Sequence, residues 1–445
     1  MAEQVRLLGV GGRLGGAVRV PTSKSIAQRV VLLAMVARGR TRLKYLPDGE
    51  DVRSALGIAL ARGAVSDASL QTALELQGCP PGAGAGRDQR WAVGESGTLA
   101  RCATALAALG LDPGGVTEIH PSGSLLTRRS PALMNALQSA GVCVDELGIR
   151  GGWPLRVRSL EPPEEILLEN PSSSQEVSAL LLALAAWPEP RVLRVSGVIP
   201  SLPYVHLTIS VLNEFGTDVH LESLSALESC FHIKGQLQAP ARTLTIEPDA
   251  SATAVALAAG CLSTGEVWVE GLGPDSSQGD VRVIEYLKAF GCQAQEKQVA
   301  GRAALWACGV PTRGVDLNLS GEPDLAPVLV PLAAAAAKAG HGSRIQGLGT
   351  LDSKESPRLA GLVRGLEACG FEARAGASEL VLDPGWNPVA GPLLDASGDH
   401  RMFFAWTLLG WVVPGLRIRG QEHVAKSWPD FLTDFASAGA EWVQF

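Results

Sequence analysis

Pro21-Thr22-Ser23-Lys24-Ser25-Ile26-Ala27-Gln28-Arg29 runs a small polar turn straight into the apolar stretch Val30 to Val36. The spacing predicts a helix that starts beside Lys24 and Ser25. A helix N-terminus presents free N–H groups and a partial positive charge, and so favours an anion. Lys24 and Arg29 add two full charges there. Taken alone, the stretch is equally well a capped surface helix with two solvated cations.

Recurrence decides between these readings. Polar turns leading into Ala/Leu-rich helices appear at Ser23-Lys24-Ser25, Ser96-Gly97-Thr98, Ser173-Ser174-Gln175, Asp249-Ala250-Ser251, Pro323-Asp324-Leu325 and Asp399-His400-Arg401. They return about every 75 residues. A second series keeps the same period: amphipathic helices end near Gly63, Gly141, Gly216, Gly291, Gly370 and Gly439, each before a short strand. Two helices per repeat, alternating with strands, predict an α/β fold. Three repeats per half predict two domains of like design. The polar stretch Lys234 to Arg242 reads as the crossing between them. Val5 to Val20 reads as a hairpin-like start, Asp51 as the cap of a second helix, and Gly82 to Gly86 as a surface loop.

Composition narrows the function classes. With 445 residues, 46% hydrophobic and 19% charged, the chain is a globular protein with ample core. A net charge of −7 argues against a nucleic-acid partner, so any anion site is local. The longest apolar runs, such as Ala179 to Trp187, fall short of a bilayer span, and no export signal precedes them. The 8 Cys lack C-x-x-C spacing and read as reduced thiols of a cytoplasmic protein; the 7 His show no metal-ligand spacing. Gly9-Val10-Gly11-Gly12-Arg13-Leu14 fails the dinucleotide fingerprint. Lys is scarce against Arg, yet Lys24, Lys354 and Lys426 all fall in the motifs.

The motifs, taken in order, resemble the 5-enolpyruvylshikimate-3-phosphate synthase family (3-phosphoshikimate 1-carboxyvinyltransferases). They are Ser23-Lys24-Ser25 with Arg29, Ser96-Gly97-Thr98 with Arg101, Ser173-Ser174-Gln175, Pro203-Tyr204, Asp249-Ala250-Ser251, Gln278-Gly279-Asp280, Pro323-Asp324, Lys354-Glu355 with Arg358, Asp399-His400-Arg401-Met402, and Ala425-Lys426 with Pro429-Asp430. The resemblance implies six βαβαββ repeats, three per domain, in an inside-out α/β barrel design with a cleft between domains. Residues 22–240 would form one domain, and 1–21 with 243–445 the other. The implied reaction transfers the enolpyruvyl group of phosphoenolpyruvate to the 5-hydroxyl of shikimate 3-phosphate and releases phosphate. No metal or organic cofactor, nucleic acid or membrane is implied, and a monomer is expected.

For shikimate 3-phosphate the resemblance assigns Lys24, Ser25, Arg29, Ser173, Ser174, Gln175, Ser201, Tyr204, Asp324 and Lys354. For phosphoenolpyruvate it assigns Lys24, Gly97, Arg128, Gln175, Arg358, Arg401 and Lys426. Arg129 competes with Arg128 for its place. Lys24, Asp324 and Glu355 are the expected catalytic groups, with Glu355 as acid and Asp324 as base. A carboxyl acts as an acid near neutral pH only if burial outweighs neighbouring cations. Asp249, Ser251, Gln278 and Asp280 read as caps tying repeats together.

Glu95 replaces the Asn that the family often carries, and is expected to face a cation. Gly97 leaves room that a methyl would fill, so the inhibitor glyphosate, which occupies the phosphoenolpyruvate pocket in this family, is expected to bind. Two alternatives are a UDP-N-acetylglucosamine enolpyruvyl transferase, which typically has Lys-Asn where this chain has Lys24-Ser25, and a non-catalytic anion-binding repeat scaffold.

Overall fold

The computed structural model describes residues 7–69, 73–83 and 88–445. Residues 5–6 of the expected hairpin and 84–86 of the expected loop lie outside them. The chain packs as two units: Thr22–Ile246, called the N-terminal unit, and the residues up to Pro21 with Glu247–Phe445, called the C-terminal unit.

Each unit carries three four-stranded sheets. The repeat from Gln89 shows the plan. Strand Gln89–Gly94 leads to helix Gly97–Leu109, then to a parallel strand, Val116–Pro121. Helix Pro131–Ser139 follows, and strands Cys143–Glu146 and Leu155–Arg158 complete the sheet antiparallel. The sheets bury alternate residues, as in Arg40–Lys44, and keep charges on the other face.

The first helix of each repeat is apolar on nearly every side, because it lies between its sheet and its sister helices. In Ser174–Leu184 every residue is buried except Gln175, at the open end. Each fully buried Leu or Val there stabilises the unit by about 1.5–3 kcal/mol. Helices inside and sheets outside make each unit the inside-out arrangement. The second helices end alike: Gly63, Gly141, Gly216, Gly291, Gly370 and Gly439 all take φ between 80° and 106°. A side chain is strained there, which is why the series keeps glycine.

Three strands depart from the sequence reading. Leu7–Gly11 and Gly15–Ala17 form no hairpin. The first lies between Arg417–Arg419 and Glu441–Gln444, and the second lies parallel to Glu266–Glu270. They supply the last strand of the sixth repeat and the first strand of the fourth. Leu244–Thr245 pairs with Leu43 and Lys44, opening the first repeat, and Ile246 N–H donates to the Lys44 carbonyl at 3.1 Å. Residues 243–246 therefore belong to the N-terminal unit, and the crossing falls after Ile246 rather than in Lys234 to Arg242. Lys234 itself lies in strand Glu228–Gly235.

Candidate active site

In the N-terminal unit three helix starts converge. Ser23 caps Lys24–Val36, Ser96 caps Gly97–Leu109, and Ser173 caps Ser174–Leu184 through a capping box with Glu176. Such a cap is worth about 1 kcal/mol. Side chains tie the starts together in a triangle. Gln28 Nε2 donates to Ser96 Oγ at 2.8 Å, Arg101 Nη1 to Gln175 Oε1 at 2.9 Å, and Arg29 Nη2 to Ser178 Oγ at 3.5 Å. Three sets of free N–H groups thus face one region, which suits an anion with several oxygens.

The named residues fall at or beneath this triangle. Lys24 Nζ lies 3.1 Å from Asp51, which is 4% exposed. Asp51 is not a cap: Gly49 takes that place, and the Asp51 carboxylate sits in the first turn where it meets Lys24. Ser25 and Ser174 occupy the first turns of their helices, while Ser173 is the cap of its own. Arg29 is 1% exposed and donates to Thr208 Oγ1, the Ser25 carbonyl and Ser178. Burial lowers its pKa. It sits beneath the first turn as a support. Ser201 holds a left-handed φ of 52°, and its carbonyl accepts the Tyr204 N–H at 3.1 Å, placing Tyr204 in the first turn of Pro203–Glu214.

Gly97 is closely crowded by side chains. A Cβ there would lie 2.9 Å from Arg101 Nη1, 3.3 Å from Arg128 Nη1 and 3.4 Å from Gln175 Oε1. This places Arg128 at the triangle, whereas the Arg129 side chain is exposed and its carbonyl accepts from Arg101 Nη2. Arg101 is the residue whose role sequence reasoning missed. It is buried, donates to Ser130 Oγ, the Gly97 carbonyl and Gln175, and stacks its guanidinium over Trp153. Its place four residues after Gly97, on a helix otherwise free of charge, was the available signal. Glu95 turns onto the Gly123–Thr127 turn and accepts from the Ser124 N–H and hydroxyl. Ser124 Oγ accepts in turn from Arg128 Nη2 at 3.5 Å, so a cation is linked to Glu95 through a hydroxyl.

The C-terminal unit repeats the triangle with charges of both signs. Asp249 caps Ala250–Leu262, Asp399 caps His400–Gly410, and Pro323–Leu325 forms a 3-10 turn into Ala326–Lys338. Asp324 meets Arg358 Nη1 at 2.8 Å and Lys354 Nζ at 3.4 Å, and its carbonyl accepts from Arg401 Nη1 at 3.0 Å. Asp399, fully buried, holds Arg358 with both oxygens, at 2.7 and 3.2 Å. Glu355 lies 2.7 Å from Lys426 Nζ, 3.0 Å from His400 Nδ1 and 3.6 Å from Arg358 Nη2.

Electrostatics bears on both expected catalytic carboxylates. Burial alone pushes the Glu355 carboxyl up, but His400, Lys426 and Arg358 outweigh it and hold it well below the carboxylate range. The cations around Glu355 thus favour its ionised form. Asp324 behaves alike: burial raises its pKa, yet Lys354, Arg401 and Arg358 bring it far below normal. Burial lowers the Lys354 pKa more than Asp324 raises it. Glu355, Asp399 and His400 are spaced closely enough to hold a metal ion, but Arg358 and Lys426 already face those carboxylates.

A family model for EPSP synthase (3-phosphoshikimate 1-carboxyvinyltransferase) matches residues 9–435. The chain belongs to the EPSP synthase family. Among its relatives is the 3-phosphoshikimate 1-carboxyvinyltransferase of Methanopyrus kandleri, 34% identical over 98% of each chain. The protein of the same name from Nitrosomonas europaea is 32% identical over 96% of each. The fold matches the EPSP synthase of Acinetobacter baumannii with a TM-score of 0.77 at 20% identity, covering 99% of this chain and 100% of that one. It also matches the enolpyruvyl transferase NikO from Streptomyces tendae, TM-score 0.71 at 19% identity, over 99% and 98%. No described helix is long and apolar enough to cross a membrane.

Proposed function

We propose that this chain transfers the enolpyruvyl group of phosphoenolpyruvate to the 5-hydroxyl of shikimate 3-phosphate, with release of phosphate, as a step of the shikimate pathway. The whole-length family match carries the reading. In it, Ser25, Ser173, Ser174, Ser201 and Tyr204 bind shikimate 3-phosphate with Lys354, while Arg29 supports them from beneath. Gly97, Arg128, Gln175, Arg358, Arg401 and Lys426 take the carboxylate and phosphate of phosphoenolpyruvate. Neutralising these anions lets the reacting atoms approach.

The 5-hydroxyl adds to C2 of phosphoenolpyruvate as a proton joins C3. Asp324, ionised by its cations, receives the hydroxyl proton. Lys24 faces the adduct and stabilises its charge. When phosphoenolpyruvate draws Arg358 and Lys426 toward itself, the Glu355 pKa rises; the carboxyl then takes a proton from solvent, gives it to C3, and takes one back from C3 as the bond from C2 to the phosphate oxygen breaks and phosphate leaves. Glu355→Gln is therefore expected to lower kcat by about 10²-fold or more. Near-full turnover in that variant would remove Glu355 from proton transfer.

Eight unpaired cysteines accord with a cytoplasmic enzyme. We read it as a monomer needing no metal or organic cofactor. The test is phosphate release from phosphoenolpyruvate with each acceptor. Release only with shikimate 3-phosphate supports the reading. Release with UDP-N-acetylglucosamine would replace it, and no release with either would leave an anion-binding scaffold.

A further inference from the structure

Four polar residues in the fourth repeat looked alike in sequence, but they do different work. Asp249 caps its helix through the Ala252 N–H at 2.9 Å, and Gln278 Oε1 accepts the Ala250 N–H at 3.1 Å. Two N–H groups of the helix start are thus met without Ser251 and Asp280. Those two point elsewhere. The Ser251 hydroxyl donates to Asp280 Oδ2, and its oxygen accepts from Arg401 Nη2 at 3.1 Å. A serine has one hydroxyl hydrogen. Because Asp280 takes it, only a lone pair is left to face Arg401.

Asp280 is 2% exposed, and its Oδ1 is buried with no hydrogen-bond partner among the described residues. A half-satisfied buried carboxylate is a costly way to hold two helices together, so packing alone does not explain it. Charged groups reach it from three elements: Asp249 at the start of Ala250–Leu262, Asp324 in Pro323–Leu325, and Arg401 in His400–Gly410. Arg282, on its own turn, is engaged with Glu322 and Glu285.

We propose that Asp280 is a positioning residue for Arg401: it fixes the Ser251 hydroxyl so that its lone pair meets the guanidinium, and neutralising Asp280 lets that hydroxyl turn away. The inference rests on the reading of Arg401 as a phosphoenolpyruvate ligand. Burial pushes the Asp280 carboxyl up to about 6, with Asp324 and Asp249 adding to the rise and Arg401 and Ser251 opposing it. The charge is present above that pH and lost as pH falls through it. Arg401 is then well held at neutral pH and loosened in mild acid.

The experiment measures KM for phosphoenolpyruvate against pH, at saturating shikimate 3-phosphate, in the full-length protein. Asp280→Asn and Ser251→Ala are each expected to raise KM about tenfold at neutral pH. Their excess over the unsubstituted enzyme should shrink as pH falls through about 6. The titration of phosphoenolpyruvate itself is common to all forms and cancels in that ratio. Ser251→Thr keeps the hydroxyl and should stay near the unsubstituted values. A ratio independent of pH, or an unchanged KM in both variants, overturns the relay. Ser251→Ala decides alone if Asp280→Asn does not fold. Arg401→Lys separates the two readings. If it leaves KM unchanged, the ligand role of Arg401 fails; if it raises KM while the other two variants do not, the relay alone fails.

Discussion

Asp324→Asn is expected to lower kcat by about 10²–10⁴-fold. Asn keeps the shape of Asp but accepts no proton from a hydroxyl. Lys354, Arg401 and Arg358 outweigh its burial and hold the carboxylate's pKa far below normal. That makes it available as a proton acceptor. It also makes it a weak base, so its rate contribution depends on placement against the 5-hydroxyl more than on basicity. The same carboxylate anchors Arg358 at 2.8 Å and Lys354 at 3.4 Å, and breaking a buried pair costs about 3–5 kcal/mol. Activity is therefore read beside a melting curve. A folded variant with undiminished kcat would take the base role from Asp324. A variant whose lost turnover tracks lost folded protein would assign it to structure.

Gly97→Ala is expected to weaken glyphosate inhibition by about 10–100-fold, and to affect phosphoenolpyruvate less. The new methyl would stand 2.9 Å from Arg101 Nη1, closer than Cβ atoms come to other atoms. Arg101 cannot simply swing aside. Ser130, the Gly97 and Arg129 carbonyls and Gln175 hold its guanidinium, with Trp153 against its face. Making room means moving Arg101, Gln175 and Arg128 together. Overpacking of that kind costs about 1–3 kcal/mol, which is the inhibition factor given. The measurement is the glyphosate inhibition constant of each form. Equal constants would show that the inhibitor lies away from Gly97.

The regular parts of this molecule were legible because they are local. Ser23, Ser96 and Ser173 cap the helices they precede, and Asp249 and Asp399 do so in the other half. The glycines at 63, 141, 216, 291, 370 and 439 end theirs through a backbone angle that sequence reports directly. What escaped was decided at long range. Asp51 has the flanks of a cap, but its partner is Lys24, a helix, a strand and a turn earlier. Leu244–Thr245 and Gly15–Ala17 are too short to show alternation, and only their sheets reveal them. The charge of Glu355 depends on how closely His400 and Lys426 approach, and spacing along the chain carries no such distance. Motif order supplied the candidate residues, whereas the acid–base balance among them is a matter of geometry.

The strand exchange has a consequence for synthesis. Thr22–Ile246 is one continuous segment, so the N-terminal unit can assemble while the ribosome is still at work. Strand Leu7–Gly11 precedes that segment, whereas both its neighbours, Arg417–Arg419 and Glu441–Gln444, follow it. Its hydrogen-bonding edges must stay unclaimed until those two strands have been made, and a chain cut before Glu441 leaves that sheet one strand short.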